Sequence, residues 1–170
     1  MGNHSETVQI EYDPARISYG DLLDVFWYSH NPAFPQWSSQ YKSVIFYHND
    51  EQKRQAIESR DRLEAETDRK IYTEIVRAPT FYIAEDYHQK YYLQQLRELA
   101  DEFMAIYPEF NDFVNSTAVA RVNGYAGGYG TKETLHKELE SLGLSPEGID
   151  RVLAIAERGL APACPAPGTA

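Results

Sequence analysis

Two runs of sequence decide the fold of this chain: LLDVFWYSHNP at residues 22–32 and QYKSVIFYH at residues 40–48. Around the start of the first run, apolar residues recur at the spacing of an amphipathic helix: Tyr19, Leu22, Leu23 and Phe26. Ser18 stands three residues before Asp21, the spacing of a helix N-cap. In the second run, residues 43–47 place apolar side chains on both sides of the pleat, which is typical of a central strand covered on both faces.

The remainder of the first hundred residues alternates strand and helix patterns. The predicted elements are, in order, a half-buried strand at Thr7–Tyr12, a charged surface helix from Asn49 to Glu66, a strand at Ile71–Arg77 and a long helix from Ala84 to Pro108. This order favours an α/β (α+β) two-layer sandwich in which helices stack on a mixed sheet.

The sequence changes character after Pro108. The run Gly124–Gly130 predicts a flexible turn, because four of its seven residues are glycine. Thr131 and Ser145 each precede a helix that they are predicted to cap, and the two helices form an αα-hairpin. We therefore predict an α/β domain at residues 1–108, a helical extension at 109–160 and a disordered Pro- and Ala-rich tail at 161–170.

Composition narrows the functions that are expected. Sixteen basic and 26 acidic side chains give a net charge of −10, which disfavours binding to nucleic acid or to anionic membranes. There is no apolar run long enough for a membrane span and no apolar leader, so we expect a cytoplasmic protein. The five histidines show no ligand spacing and Cys164 is the single cysteine, so we expect neither a metal site nor an internal disulfide.

Several motifs occur in the order found in one enzyme family. They are Asn3-His4-Ser5-Glu6, then the LLDVFWYSHNP run, then Ser38-Ser39-Gln40-Tyr41-Lys42-Ser43. Over roughly the first ninety residues, the chain resembles the second half of a peptide methionine-S-sulfoxide reductase. The resemblance implies a ferredoxin-like mixed sheet with helices. It also implies reduction of methionine sulfoxide, free or in peptides, to methionine.

The chemistry of that family explains which residues are candidates. A thiolate attacks the sulfoxide sulfur, and an acid protonates the departing oxygen. A carboxyl group whose pKa is raised in an apolar pocket can be that acid. The resemblance gives this role to Glu6, and it gives Tyr41 the task of holding the sulfoxide oxygen. It implies no cofactor, and thioredoxin or another thiol would be the reductant of an active protein.

The chain also departs from the family pattern. The family's nucleophilic cysteine lies in a Gly-Cys-Phe-Trp run ahead of the His4 position, and the 170 residues contain no such run. Gln36 stands where the family has an aspartate. Phe34 and Trp37 are candidates for apolar contact with the substrate, in place of the family's Phe and Trp.

Two residues in the C-terminal half are further candidates. Gly124-Tyr-Ala-Gly-Gly128 resembles a family segment that lies upstream of the acid, which makes Tyr125 a candidate substrate contact. The alternative is an independent glycine-rich turn. Cys164 is either a substitute nucleophile or an exposed bystander thiol, since nothing near it in sequence would lower its pKa.

Two hypotheses for function follow. The first is a methionine sulfoxide reductase sequence without its N-terminal strand and helix, which would be impaired or inactive as written. The second is a non-catalytic module that binds methionine sulfoxide peptides or a protein partner. Either way, a sheet edge and apolar helix faces would be left open, and a homo-oligomer or the C-terminal hairpin could cover them.

Overall fold

The structure, a computed structural model, describes residues 5–35, 38 and 40–158. These residues form a mixed α/β protein that is mostly helical, with a small parallel sheet and a helical C-terminal part. They divide into two compact units, one up to Phe81 and one from Tyr82 onward. The predicted boundaries at residues 108 and 160 stay predictions.

The first unit is built on one strand-helix-strand crossover. Its elements are α1 (Tyr19–Tyr28), β1 (Val44–Tyr47), α2 (Asp50–Thr67) and β2 (Glu74–Arg77). β1 pairs with β2 in parallel, with Val44 opposite Glu74 and Tyr47 opposite Arg77. The predicted helix starts are confirmed, because Ser18 and Asp21 form a complete capping box and the Asn49 side chain accepts from the Gln52 backbone.

Trp27 connects the two helices of this unit through its ring nitrogen. Its Nε1–H donates to Ser59 Oγ at 3.0 Å, and both residues are buried. Ser59 in turn donates to the carbonyl of Ala56 at 2.9 Å. The polar side-chain atoms of Trp27 and Ser59 are therefore satisfied, and the surrounding core is apolar: Leu23, Ile45, Ala56 and Ile71.

The predicted strand at Thr7–Tyr12 is wrong. The segment forms no strand, and Val8 and Ile10 are 83% and 58% exposed. An alternating pattern becomes a strand only when a neighbouring strand accepts its backbone hydrogen bonds, and no described residue pairs with this segment in that way. β1 likewise falls short of a covered central strand, since Ile45 is its single buried residue.

The second unit is helical. Its helices are α3 (Tyr91–Gln94), α4 (Arg97–Ile106), α5 (Phe110–Asn115), α6 (Thr117–Ala126), α7 (Lys132–Glu138) and α8 (Pro146–Arg158), with 3₁₀ turns at Asp86–His88 and Leu139–Leu142. The helix starts expected at Thr131 and Ser145 are confirmed. Fully buried side chains from six helices and the second 3₁₀ turn form one core: Leu93, Leu99, Phe103, Phe113, Val119, Val122, Leu135, Leu142 and Val152.

The single long helix predicted from Ala84 to Pro108 is wrong. Lys90 has a left-handed backbone with φ of 49°, and Leu96 has a ψ of 71°, so neither continues a helix. Tyr92, Leu96, Leu99 and Phe103 lie at helical spacing in the sequence, and of these Leu99 and Phe103 are fully buried in the core. Periodicity therefore identified much of the buried face but not the two breaks in the backbone.

The glycine-rich run is only partly a turn. α6 continues through Ala126, and Gly127 caps it, so the first half of the predicted turn is helical. A Cβ atom on Gly127 would lie 2.8 Å from the Tyr92 ring, and one on Gly130 would lie 2.6 Å from the Tyr125 ring. Close packing of tyrosine rings explains these glycines, and the φ of 93° at Gly130 adds a conformational reason.

This packing predicts different costs for two glycine substitutions in the same unit. Gly143 also has a positive φ, of 70°, but has nothing within 4 Å of a built Cβ. We expect Gly143→Ala to lower the free energy of unfolding by about 1–2 kcal/mol, from backbone strain. Gly130→Ala should lower it by about 2–4 kcal/mol, because overpacking against Tyr125 is added. Urea denaturation followed by circular dichroism measures both, and equal costs would contradict the packing explanation.

Candidate functional site

Two hydrogen bonds attach Glu6 to Gln40. The Glu6 backbone N–H donates to the Gln40 carbonyl at 2.9 Å, and Gln40 Nε2 donates to Glu6 Oε1 at 2.8 Å. Tyr41 is the next residue along the chain. The carboxylate is therefore held beside the motif that contains the candidate phenol, although 34 residues separate Glu6 from Gln40.

The far end of the Tyr41 motif is fixed by β2. Lys42 Nζ lies 2.6 Å from the Glu74 carboxylate, and the Glu74 backbone N–H donates to the Ser43 carbonyl at 3.1 Å. The ion pair is partly exposed, so it contributes about 0–1 kcal/mol to stability. Its larger effect is to set the direction in which the chain leaves Tyr41.

His30 adds a second anchor to the same motif. Its Nδ1 lies 2.9 Å from the Phe26 carbonyl, and its Nε2 lies 2.8 Å from Ser43 Oγ. Ser43 Oγ also contacts Thr73 Oγ1 at 2.8 Å, and Thr73 is 4% exposed. This histidine network, defined as His30, Ser43 and Thr73, joins the end of α1 to the starts of β1 and β2.

Only one arrangement of protons satisfies the neutral network. The Phe26 carbonyl can only accept, so Nδ1 carries the proton, and Nε2 accepts from the Ser43 hydroxyl. Ser43 Oγ then accepts from Thr73. Burial lowers the pKa of His30 below its ordinary 6.5, with the hydrogen bond to Phe26 opposing the shift, which favours this neutral form.

Glu6 and Tyr41 lie on the surface of the described residues. Tyr41 is 61% exposed and Glu6 is also exposed. A carboxylate and a phenol at such a position can accept and donate hydrogen bonds to a polar group of a bound molecule. The described residues, 5–35, 38 and 40–158, place no apolar cover over the Glu6 side chain.

The other candidates are in different surroundings. Phe34 is 58% exposed, while Trp37 and Cys164 lie outside the described residues. Tyr125 belongs to the core of the second unit, is 8% exposed, and donates from its hydroxyl to Glu138 at 3.0 Å. Burial, followed by the bond to Glu138, raises the pKa of this phenol. Contact of Tyr125 with a substrate stays a prediction.

Two kinds of feature are absent from the described residues. In that part of the chain, no group of three or more His, Cys, Asp or Glu side chains could hold a metal ion. No helix there is both long enough and apolar enough to cross a membrane.

Gln40 and His30 are the residues that sequence reasoning missed. Gln40 was part of a quoted motif, yet no pattern in the sequence indicates its contact with Glu6. His30 belongs to the LLDVFWYSHNP run, in which the apolar spacing indicates helix packing and no polar network. Its position four residues after Phe26, at the end of a helix, was the available signal, because a side chain there can reach the free carbonyls of the last turn.

Comparison with known proteins identifies the family to which these motifs belong. Residues 1–122 match the family model described as "Peptide methionine sulfoxide reductase". Residues 111–157 match a second model, "Selenoprotein methionine sulfoxide reductase A, helical domain". The chain belongs to the peptide methionine sulfoxide reductase family, and the resemblance that was seen in the motifs is confirmed.

Individual relatives support the same assignment. The chain is 39% identical over 148 residues to "Peptide methionine sulfoxide reductase" of Drosophila melanogaster, covering 86% of this chain and 59% of the relative. It is 53% identical over 99 residues to a relative from Methanothermobacter thermautotrophicus, and this match covers 54% of this chain and 58% of the relative. It is 49% identical over 96 residues to a relative from Methanosarcina acetivorans, and that match covers 52% of this chain and 51% of the relative. Both are called "Peptide methionine sulfoxide reductase MsrA". The chain thus spans between half and three-fifths of the length of these relatives.

The histidine network predicts a pH dependence of stability. The unfolded chain binds the His30 proton more tightly than the folded chain does, because the pKa is lowered on folding. The free energy of unfolding should therefore fall as the pH drops through 6.5 towards the lower folded value, and His30→Asn should lose this slope. Tryptophan fluorescence during denaturation measures it in the first unit, since both tryptophans, Trp27 and Trp37, precede residue 82.

A second histidine supplies the control. His136 Nδ1 contacts the Lys132 carbonyl at 2.7 Å in the same manner, but at an exposed position in the second unit. The substitution His136→Asn should leave the pH dependence of the first unit unchanged. Equal slopes for the wild type and His30→Asn would contradict the role given to the network.

Proposed function

We propose that this chain takes part in the reduction of methionine-S-sulfoxide to methionine, with Glu6 as the acid and Tyr41 as the group that holds the sulfoxide oxygen. The observation that carries the proposal is the double hydrogen bond between Glu6 and Gln40, which holds the carboxylate next to the Tyr41 motif. The family match provides the substrate class.

Each residue has a defined part in the reaction. A thiol attacks the sulfoxide sulfur, the sulfur–oxygen bond breaks, and the products are a thioether and a sulfenic acid. Glu6 would protonate the oxygen as negative charge develops on it, and the Tyr41 hydroxyl would donate a hydrogen bond to the same atom. A second thiol then reduces the sulfenic acid and releases water.

The reaction also needs a nucleophile. Cys164 is the one thiol in the 170 residues. The description of the helical family model names a selenoprotein, so a selenolate is a second chemical class that would serve. Polypeptide outside these 170 residues is the alternative source of either group.

Binding without turnover is the second candidate function. The exposure of both Glu6 and Tyr41 favours it, because an open surface can accept a methionine sulfoxide side chain within a peptide. In this case the Tyr41 hydroxyl would donate to the sulfoxide oxygen, and the Glu6 carboxylate would accept from a donor elsewhere on the peptide. No nucleophile would be required.

Substitutions at the two residues separate these functions. We expect Glu6→Gln to lower turnover of a methionine-S-sulfoxide peptide by about 10²–10³-fold with little loss of affinity. Tyr41→Phe should weaken binding by roughly 1 kcal/mol, a factor of about five. Turnover with dithiothreitol and calorimetry with the same peptide measure the two effects. Glu11→Gln, an exposed carboxylate on the same segment, is the matched control.

The outcomes discriminate clearly. Turnover that is lost in Cys164→Ser would identify the internal thiol as the nucleophile. Heat of binding without turnover would support the binding function. Absence of both in a folded sample, or Glu6→Gln and Tyr41→Phe equal to wild type, would contradict the roles proposed for these residues.

Other expectations remain predictions of the same proposal. They are the ferredoxin-like sandwich, thioredoxin or another thiol as the reductant, a cytoplasmic location and a homo-oligomer. The parallel β1–β2 pair with α2 between its strands supports the sandwich, because it supplies one crossover of such a fold.

A further inference from the structure

A cavity of about 430 Å³ lies between α1 and α2 in the first unit. Its lining residues recur at intervals of three and four along each helix: Asp24, Trp27 and Tyr28 on α1, and Ser59, Arg62 and Leu63 on α2. This spacing places each set on one face of its helix. The cavity has the volume of a small-molecule site, for which about 300–1,000 Å³ is usual.

The depth of the cavity is apolar, and its polar groups are already hydrogen-bonded. Trp27, Ser59 and Ile71 are buried, and Leu63 is half-buried. Trp27 Nε1–H donates to Ser59 Oγ, and Ser59 donates to the carbonyl of Ala56. A ligand group that enters the cavity therefore meets mainly apolar surface.

Opposite charges stand at the rim of the cavity. Asp24 Oδ1 and Arg62 Nη2 are 3.6 Å apart, and both side chains are more than half exposed. A pair of this length and exposure is weak, so either group can turn to a ligand. Glu66 and Arg69 also line the cavity, and neither forms an ion pair with a described residue. The rim thus offers two cations and two anions.

We propose that this cavity binds a free amino acid with an apolar side chain. Such a zwitterion carries its ammonium and carboxylate on the same carbon atom, so it can contact Asp24 and Arg62 together. One weak ion pair is then replaced by two charge-assisted contacts. The apolar side chain enters the depth of the cavity beside Trp27 and Leu63. A simple carboxylate or amine matches only one sign of charge at the rim.

The binding site is separate from the site of the proposed reaction. The cavity lining contains neither Glu6 nor Tyr41, and the inference does not rest on their roles. Leucine is a suitable probe, because it is neither a substrate nor a product of sulfoxide reduction. Its binding therefore tests the cavity whether or not the chain reduces methionine sulfoxide.

Calorimetry with the 170-residue protein tests the class of ligand. We expect L-leucine to bind, and glycine to bind roughly tenfold more weakly, because glycine has no side chain for the apolar depth. The analogue 4-methylpentanoate lacks the ammonium group, and leucinamide lacks the carboxylate. Each should also bind roughly tenfold more weakly. Absence of leucine binding, or any of the three analogues binding as tightly as leucine, would overturn the proposal.

Two variants locate the site, and two matched variants are controls. Asp24→Asn and Arg62→Gln each remove one rim charge and should weaken leucine binding roughly tenfold. Asp61→Asn and Arg60→Gln remove the same charges from a 2.7 Å pair on α2 that lies outside the cavity lining. These two should bind leucine like the wild type. Equal losses in both sets would overturn the proposal.

Nuclear magnetic resonance shows where leucine binds. Because Trp27 lines the cavity, saturating leucine should shift the resonance of its indole N–H. The chain has two tryptophans, so Trp37→Phe assigns that resonance. A Trp27 resonance that does not move would overturn the proposal. Tyr41→Phe should bind leucine like the wild type, and loss of binding there would place leucine at the candidate site instead.

A folding control accompanies the variants. Asp24 and Arg62 are exposed, so urea denaturation should give Asp24→Asn and Arg62→Gln midpoints like that of the wild type. The analogue series uses the unaltered protein, so its result decides the proposal independently of how any variant folds.

Discussion

The parallel pairing of β1 with β2 is the constraint on which the first unit depends. Parallel strands need a crossover, and α2 supplies it between Tyr47 and Glu74. The crossover packs on α1 through Trp27 and Ser59, and the histidine network joins the end of α1 to the starts of both strands. One backbone pairing thus fixes the positions of two helices and of the motif that leads into β1.

The candidate site is a consequence of this pairing. The Tyr41 motif is the last stretch of chain before β1, so its position follows from the strand, from Lys42 on Glu74 and from His30 on Ser43. Gln40 then holds Glu6 from a segment that forms no strand. The Glu6 carboxylate is therefore positioned by hydrogen bonds to an ordered motif and not by its own secondary structure. The second unit has its own core, in which Tyr125 is tied to Glu138.

Features that depend on neighbouring residues in sequence were predicted well. The caps at Ser18, Asn49 and Thr131, and the strand at Val44–Tyr47, follow from local hydrogen bonding and hydrophobic pattern. The predictions that failed concern features that depend on residues far apart in the sequence.

The predicted strand at Thr7–Tyr12 does not form, because a strand needs a neighbouring strand to pair with. The turn predicted from Gly124 begins later than expected, because α6 continues to Ala126 and the following Gly127 packs against the Tyr92 ring. The Gln40 contact with Glu6 spans 34 residues, so no local pattern indicates it. This contact between Gln40 and Glu6 can be recognised only in the folded chain, whereas the family and its candidate residues could be predicted from the motifs alone.

The central claim is that Glu6 is held at Gln40, beside Tyr41. Hydrogen exchange of the Glu6 amide, resolved by nuclear magnetic resonance, tests it most directly, because this amide donates to the Gln40 carbonyl at 2.9 Å. The account predicts that the Glu6 amide exchanges more slowly than those of Val8 and Ile10, relative to their intrinsic rates. Equal protection at all three amides would contradict it.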